Sequence, residues 1–354
     1  MGIDLPCGIF NRTYIEDMTI LRTRTRWAFL ILFFFLLFIV TPLFFGRQFL
    51  AIMNTMGIIV IAVHGLNIVT GCCGQIHLGQ AAFMAVGAYA SAILATKLNV
   101  PFWICLPFAG LSSSLVGVFF GLPAVRVKGF YLALATLGAQ FIIIYIIQTP
   151  AASITNGVYS LNVPPAKLGP LTFDTEKKIF ILIMTITVLM TFFAKNLART
   201  KIGRNFVAIR DNDLAAEVMG INIFYYKLLA FAICSFYAGI AGSLWSYQAG
   251  VIHTDYFPLT NSIWYVGMLI IGGMGSILGP IFGTIFVRSI IEGITATIPI
   301  LTTTFRTLGE GVFSSAGEFV FALAIAFFIV FEPRGLAHRW EILKNYYRLW
   351  PFSY

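Results

Sequence analysis

Residues 198–222 read ARTKIGRNFVAIRDNDLAAEVMGIN, and how this stretch is read decides how the rest of the chain must fold. From Lys195 to Lys227 there are nine charged residues, about a quarter of the chain's 37 (23 basic and 14 acidic). Elsewhere charge is scarce: it makes up 10% of the 354 residues, against about 25% in a soluble domain. With 59% hydrophobic residues and a mean hydropathy of +0.89, most of the chain needs lipid as its solvent. The stretch 195–227 is then an interruption that must lie in water.

The apolar runs on either side of it are long enough to span a bilayer. The first, Trp27 to Phe45, carries no charge over 19 residues, enough to cross a hydrocarbon core of roughly 30 Å. It is too long and starts too late for a cleaved signal peptide, and Gly-Arg-Gln-Phe follows where a small-residue cleavage site would stand. It is expected to remain as an anchor. Further runs predict helices near 48–69, 80–96, 103–122, 130–149, 179–194, 228–247, 261–273, 277–298 and 315–331. The expected fold class is an all-α integral membrane protein, a polytopic bundle of about ten transmembrane helices. The stretch 261–273 is short and runs into GGMGSILGP, so a full span, a half-helix and a re-entrant element all stay open there.

Basic residues give the orientation. With the N-terminus in the cytoplasm, the inside segments 1–26, 70–79, 123–129, 195–227, 274–276 and 332–354 hold four, none, two, six, none and four Lys or Arg, 16 in all. The outside segments hold six (Arg47, Lys97, Lys167, Lys177, Lys178 and Arg306), and Arg288 falls within a span. Both termini and the charged interruption are therefore expected in the cytoplasm. The chain divides into an N-terminal segment 1–26, a transmembrane domain 27–331 with external loop 150–178 and cytoplasmic loop 195–227, and a basic-aromatic tail 332–354. The tail's HRWEILKNYYRLW suits an interfacial anchor on membrane lipid, and the net charge of +9 then calls for no nucleic acid. The external loop carries four prolines and the polar run SITNG; it reads as a surface for an extracytoplasmic binding protein or as a plain linker.

Catalytic and metal chemistry find no support. The five cysteines (7, 72, 73, 105, 234) have no zinc-site spacing, and the four histidines (64, 77, 253, 338) form no i, i+4 pair. There is no G-x-x-x-x-G-K-[ST] motif and no Gly-Lys pair, so no phosphate-cradling loop of that kind.

Within 206–219 the apolar residues Phe206, Ile209, Leu214, Val218 and Met219 recur at about helical spacing. Asp211 and Asp213 are the expected caps and Gly220 the expected stop. The helix is too short and polar to cross, and its apolar face is Leu214, Ala215, Val218 and Met219. Such a face either rests on lipid headgroups or inserts as a knob into a groove on a partner.

AAEVMG at Ala215–Gly220 is similar to the Ala-Ala-x-x-x-Gly part of the loop by which ABC-importer permeases engage their ATPases, with Leu214 where many members carry glutamate. The longer string KIGRNFVAIRDNDLAAEVMGINIFYYKLLAF resembles the LivM-type permeases of branched-chain amino acid importers. So do GLNIVTGCCGQIHLGQAAFMAVGAYA (65–90), LPAVRVKGFYLALATLG (122–138), GGMGSILGPIFGT (272–284) and FEPRGLA (331–337). The resemblance covers roughly residues 50–340. It implies an inner-membrane permease subunit that moves branched-chain amino acids or a related small solute by alternating access. It also implies a second homologous permease, two cytoplasmic ATP-binding subunits that carry ATP and magnesium, and an extracytoplasmic binding protein. The ATPase-coupling residues would be Asp213, Leu214, Ala215, Ala216, Glu217, Val218, Met219 and Gly220.

The candidates for lining the translocation path are Asn67, Gly71, Gly74, Gln75, His77, Gly79 and Gln80. The glycines permit irregular backbone, which at membrane depth must be buried in protein or line a cavity, and the polar side chains supply hydrogen bonds or act as glue between helices. The family pattern is Gly-Gln-x-Ser-x-Gly-His; here His77 replaces the serine and Gln80 the histidine. Gly74 is expected to lie remote from the docking loop. Arg288 and Glu292, i and i+4 within a span, are expected to face the protein interior, neutralising each other or a neighbouring subunit; a proton relay is the alternative, with Glu318 the candidate for the second buried carboxylate it would need. Gly117-x-x-x-Gly121 and Gly279-x-x-x-Gly283 fit close helix packing. The alternative to an ATP-driven importer is a self-sufficient secondary carrier or channel that uses Arg288 and Glu292. An integral-membrane enzyme lacks the side-chain constellation it would need.

Overall fold

The structure, a computed structural model, describes residues 24–349 except 128, 158, 169–170 and 305–309. Helix α1 (Arg24–Phe35) runs through a π-helical turn (Leu36–Val40) into Thr41–Phe44. Only 6% of this first span, Trp27–Phe44, is buried in the protein, so lipid is its solvent almost all round. Then follow α2 (Arg47–Leu66), continued by a π-helix (Asn67–Cys72), α3 (Gln80–Lys97), α4 (Phe102–Ala124) and α5 (Phe130–Gln148). The second half holds α6 (Glu176–Arg199), α7 (Lys201–Asp211), α8 (Asp213–Val218), α9 (Ile223–Ala249), α10 (Leu259–Gly272), α11 (Gly279–Thr304), α12 (Glu310–Phe331) and α13 (Gly335–Leu349).

The core gathers around α9, which packs on α4, α3 and α2. Lipid supplies no hydrophobic drive between helices, so close backbone approach does the work. A Cβ at Gly239 or Gly242 would overlap the carbonyls of Ala109 in α4 and Met84 in α3. The Gly279-x-x-x-Gly283 repeat acts similarly: a Cβ at Gly283 would overlap the Met268 carbonyl, so α10 and α11 close into an antiparallel hairpin.

Among the described residues six helices are long and apolar enough to cross a membrane, and a seventh forms if Phe319–Phe331 and Gly335–Tyr346, bent by 49°, count as one. Of the ten expected spans, the one near 261–273 is short. Helix α10 has 14 residues, about 21 Å at the helical rise, short of a bilayer core. Helix α3 is rich in small and polar residues and almost wholly enclosed, and α11 carries an ion pair. At the bend between α12 and α13, Arg339 pairs with Glu332 across the break.

The route into α3 was not foreseen. Gly74 lies against Arg210 at the end of the bundle that carries the charged segment, yet Gln80 bonds the carbonyl of Ala62 at 2.8 Å. Ala62 is ten residues, about 15 Å, back along α2 from Cys72. The non-helical stretch 73–79 therefore climbs into the bundle, and α3 begins at mid-depth. At the opposite end, loop 150–178 is pinned by short strands: β1 (Leu161–Asn162) pairs antiparallel with β4 (Val251–Ile252), and β2 (Lys167–Leu168) with β3 (Leu171–Thr172).

Candidate functional site

The charged segment folds as two helices where a single short one was expected. Thr200 caps α7, whose Phe206 and Ile209 are buried against the bundle. The cap of α8 is Asn212, not Asp211 or Asp213: its backbone is extended (φ −159°, ψ 106°) and its side chain accepts from Ala215 N–H at 3.1 Å. A cap needs that non-helical backbone together with an oxygen two or three residues ahead of an orphan N–H, and Asn212 supplies both. Helix α8 stops at Gly220, φ +83°, with Gly220 N–H on Glu217 carbonyl (2.9 Å) and Ile221 N–H on Ala216 carbonyl (3.0 Å). This is a Schellman closure, which favours glycine because its φ is positive. Ala216 turns inward, while Leu214, Val218 and Met219 stand 67%, 88% and 81% exposed. Three large apolar side chains thus project from a charged surface.

The path candidates fall into three groups. Asn67 and Gln80 are committed to structure: Asn67 accepts from Gly275 N–H and donates to Ser276 carbonyl, both at 2.8 Å, and Gln80 also accepts from the Cys234 thiol at 3.1 Å. Gln75 is nearly buried and donates to the Cys73 carbonyl at 3.3 Å, while Gly79 lies against the Thr136 carbonyl. His77 differs. It is fully buried between Phe83 and Phe231, ring centroids 5.4 Å from each, and among the described residues neither ring nitrogen has a hydrogen-bond partner. Gly71 and Gly74 meet the charged segment directly: Arg210 Nη1 donates to Gly71 carbonyl at 3.0 Å, and Gly74, φ +70°, sits beneath the Arg210 side chain. Gly74 is therefore not remote from the docking loop; the non-helical stretch starts at that end of the bundle. The cavity beside Asn67 and Cys72 holds about 20 Å³, room for roughly one water, so no solute-sized opening lies there in this conformation.

Three further residues hold the mid-depth start of α3. Its N-terminal N–H groups are taken by Thr136 (Leu78, 3.0 Å), Ser262 (Ala81, 2.9 Å) and Gln140 (Ala82, 2.9 Å), and Gln140 also donates to the Phe257 carbonyl at 3.0 Å. A buried helix start without such partners would leave orphan donors in a dry interior. Arg288 and Glu292 form the expected ion pair at 2.7 Å, but with side chains 22% and 31% exposed they sit on the rim of the bundle. The side chain of Glu318 lies outside the described residues. Among the described residues no group of three or more His, Cys, Asp or Glu is placed to hold a metal ion.

A chain with this helix bundle, mid-depth helix start and projecting knob has known relatives. Residues 48–330 match the family described as branched-chain amino acid transport system / permease component. The chain belongs to this family. Similar permeases include the high-affinity branched-chain amino acid transport system permease protein LivM of Salmonella typhimurium and of Escherichia coli K12, each 30% identical over 66% of this chain and 61% of their own. The autoinducer 2 import system permease protein LsrC of Enterobacter sp. is 26% identical over 53% of this chain and 54% of its own. The permease thus matches less than two thirds of the length of these relatives. No solved structure is significantly similar to it.

Proposed function

We propose that this permease is the membrane-spanning subunit of an ATP-driven importer in the inner membrane, with α8 as the element that docks a cytoplasmic ATPase. The observation that carries the reading is the knob: Leu214, Val218 and Met219 exposed on a capped helix within the most charged part of an apolar chain. Lipid would accept these side chains, but not the flanking Asp211, Asp213 and Glu217; a groove lined by apolar residues and rimmed by basic ones accepts both. The basic residues put this end of the bundle, with both termini, in the cytoplasm.

The remaining partners are a second permease subunit, a second ATPase and an extracytoplasmic binding protein that meets loop 150–178. ATP and magnesium belong to the ATPase chains. The solute is a branched-chain amino acid or a related small polar compound, in line with what the LivM relatives are named for. Of the path candidates, His77 is the buried side chain whose ring nitrogens both lack partners among the described residues, and so the first choice to meet it. The Arg288–Glu292 pair is internally neutralised, which suits a structural role at a subunit boundary. The test is co-expression with the ATPases and binding protein of the same system. Co-purification of two ATPase chains per permease pair and ATP-dependent leucine uptake in liposomes are expected. Uptake by the permease alone, driven by an ion gradient, would establish the carrier reading instead.

A further inference from the structure

Arg210 stands where three interruptions of helical structure meet. It is the penultimate residue of α7, two residues before the Asn212 cap. Its Nη1 donates to the carbonyl of Gly71, in the π-helical end of the second span, at 3.0 Å. Its Nε and Nη2 hold Asp211 at 3.0 and 2.9 Å. Its aliphatic stem fills the space above Gly74, where a Cβ would come within 2.8 Å of Arg210 Cγ. On its other side lies Gly275, in the turn between α10 and α11; a Cβ there would be 3.0 Å from Nη1. Asn67, one turn before Gly71, ties the same turn through Gly275 N–H and Ser276 carbonyl.

Each element held at this point is already broken: a π-helical segment, a tight turn with positive-φ glycines, and an extended residue between two helices. Such breaks are where a few dihedral changes move whole helices, and π-helical insertions recur at functional positions. The side chain is also suited to the contact, because a guanidinium satisfies an unpaired carbonyl at a helix C-terminus and opposes its dipole. Its length lets one residue touch all three elements, while 38% of it remains exposed, so the fold does not depend on its burial.

We infer that Arg210 is a positioning residue that couples α8 to the end of the second span and to the α10–α11 hairpin, so that displacement of the docking helix moves both. This rests on the reading that α8 docks an ATPase. Arg210 touches neither nucleotide nor solute; it acts through the Gly71 carbonyl and the packing over Gly74 and Gly275.

The test compares Arg210→Ala and Arg210→Lys in the full complex in liposomes. Arg210→Ala should retain its ATPases at the wild-type ratio and continue to hydrolyse ATP, while leucine taken up per ATP falls at least tenfold. Arg210→Lys, which keeps a donor for Gly71, should recover part of the ratio. A second measurement does not rely on the variant folding. Native Cys72 and residue 277 line the same small cavity, so Ile277→Cys with the other cysteines replaced gives a pair for a short reductant-cleavable cross-linker. Cross-linking should stop uptake and reduction should restore it. An unchanged uptake-to-ATP ratio in Arg210→Ala, equal falls in uptake and hydrolysis, or full uptake by the cross-linked chain would each overturn the inference. Loss of the ATPases from the wild-type chain would instead remove the docking reading, and this inference with it.

Discussion

His77 is buried completely, and both its ring nitrogens lack partners among the described residues. Leaving a buried polar group unsatisfied costs roughly 1–3 kcal/mol, so a side chain kept only for packing would gain from losing its nitrogens. His77→Leu should therefore keep or slightly raise the melting temperature of the purified permease and leave ATPase binding unchanged. If the imidazole meets solute when the path opens, the same variant should raise the KM for uptake about three- to tenfold, the worth of one hydrogen bond. Wild-type KM would take His77 out of the path. The segment's unusual composition was legible in the sequence, but the fates of its side chains were not. Asn67 and Gln80 read as equally free polar groups, yet their partners, Gly275, Ser276, Ala62 and Cys234, lie 18 to 209 residues away. No local pattern announces such contacts.

Helices were legible wherever periodicity or long apolar runs carried the signal. Helical spacing over 206–219 and Gly220 as the stop were legible, but not that Phe206 and Ile209 turn inward on α7 while Val218 and Met219 stand outward on α8, because that split depends on the break at Asn212. Breaks were less legible. Whether Asp211, Asn212 or Asp213 caps α8 depends on which of them leaves helical backbone, and all three are good caps by residue type. The mid-depth start of α3 was hidden because its N–H groups are satisfied by side chains from α5 and α10. Gln140 makes one of these bonds, accepting from the Ala82 N–H that the Gly79 carbonyl also shares at 3.2 Å, and donates to the Phe257 carbonyl as well. Gln140→Leu should take a partner from both groups in a dry interior and destabilise the permease by roughly 1–3 kcal/mol. A thermal-shift measurement in detergent that finds no loss would mean that water already reaches the start of α3.

The whole molecule is asymmetric from end to end. One end carries the knob, Arg210, the start of the non-helical stretch 73–79 and the α10–α11 turn; the other carries loop 150–178 with its β2–β3 pair and its β1 strand paired with β4. Sixteen basic residues in the segments assigned to the first side against six on the other predict that the first end faces the cytoplasm. In a cysteine-free background, a cysteine at Asn212 should react with an impermeant thiol reagent only after the inner face is opened. One at Ser160 should react in intact cells; both positions are exposed. Labelling of position 212 from outside would reverse the assignment.

The central claim, that the knob on α8 holds an ATPase, is tested most directly by Val218→Asp. Val218 is the most exposed of the three apolar side chains and has no role in the bundle, so the variant should insert, fold and pair as the wild type does. A carboxylate at that position must be desolvated to enter an apolar groove, a cost of several kcal/mol that an interface this small does not recover. In a pull-down from detergent, Val218→Asp should come away without ATPase subunits and should show no solute-stimulated ATP hydrolysis or uptake in liposomes. Retention of the ATPases at the wild-type ratio, with uptake intact, would show that α8 is a solvated connector and that the ATPase docks elsewhere.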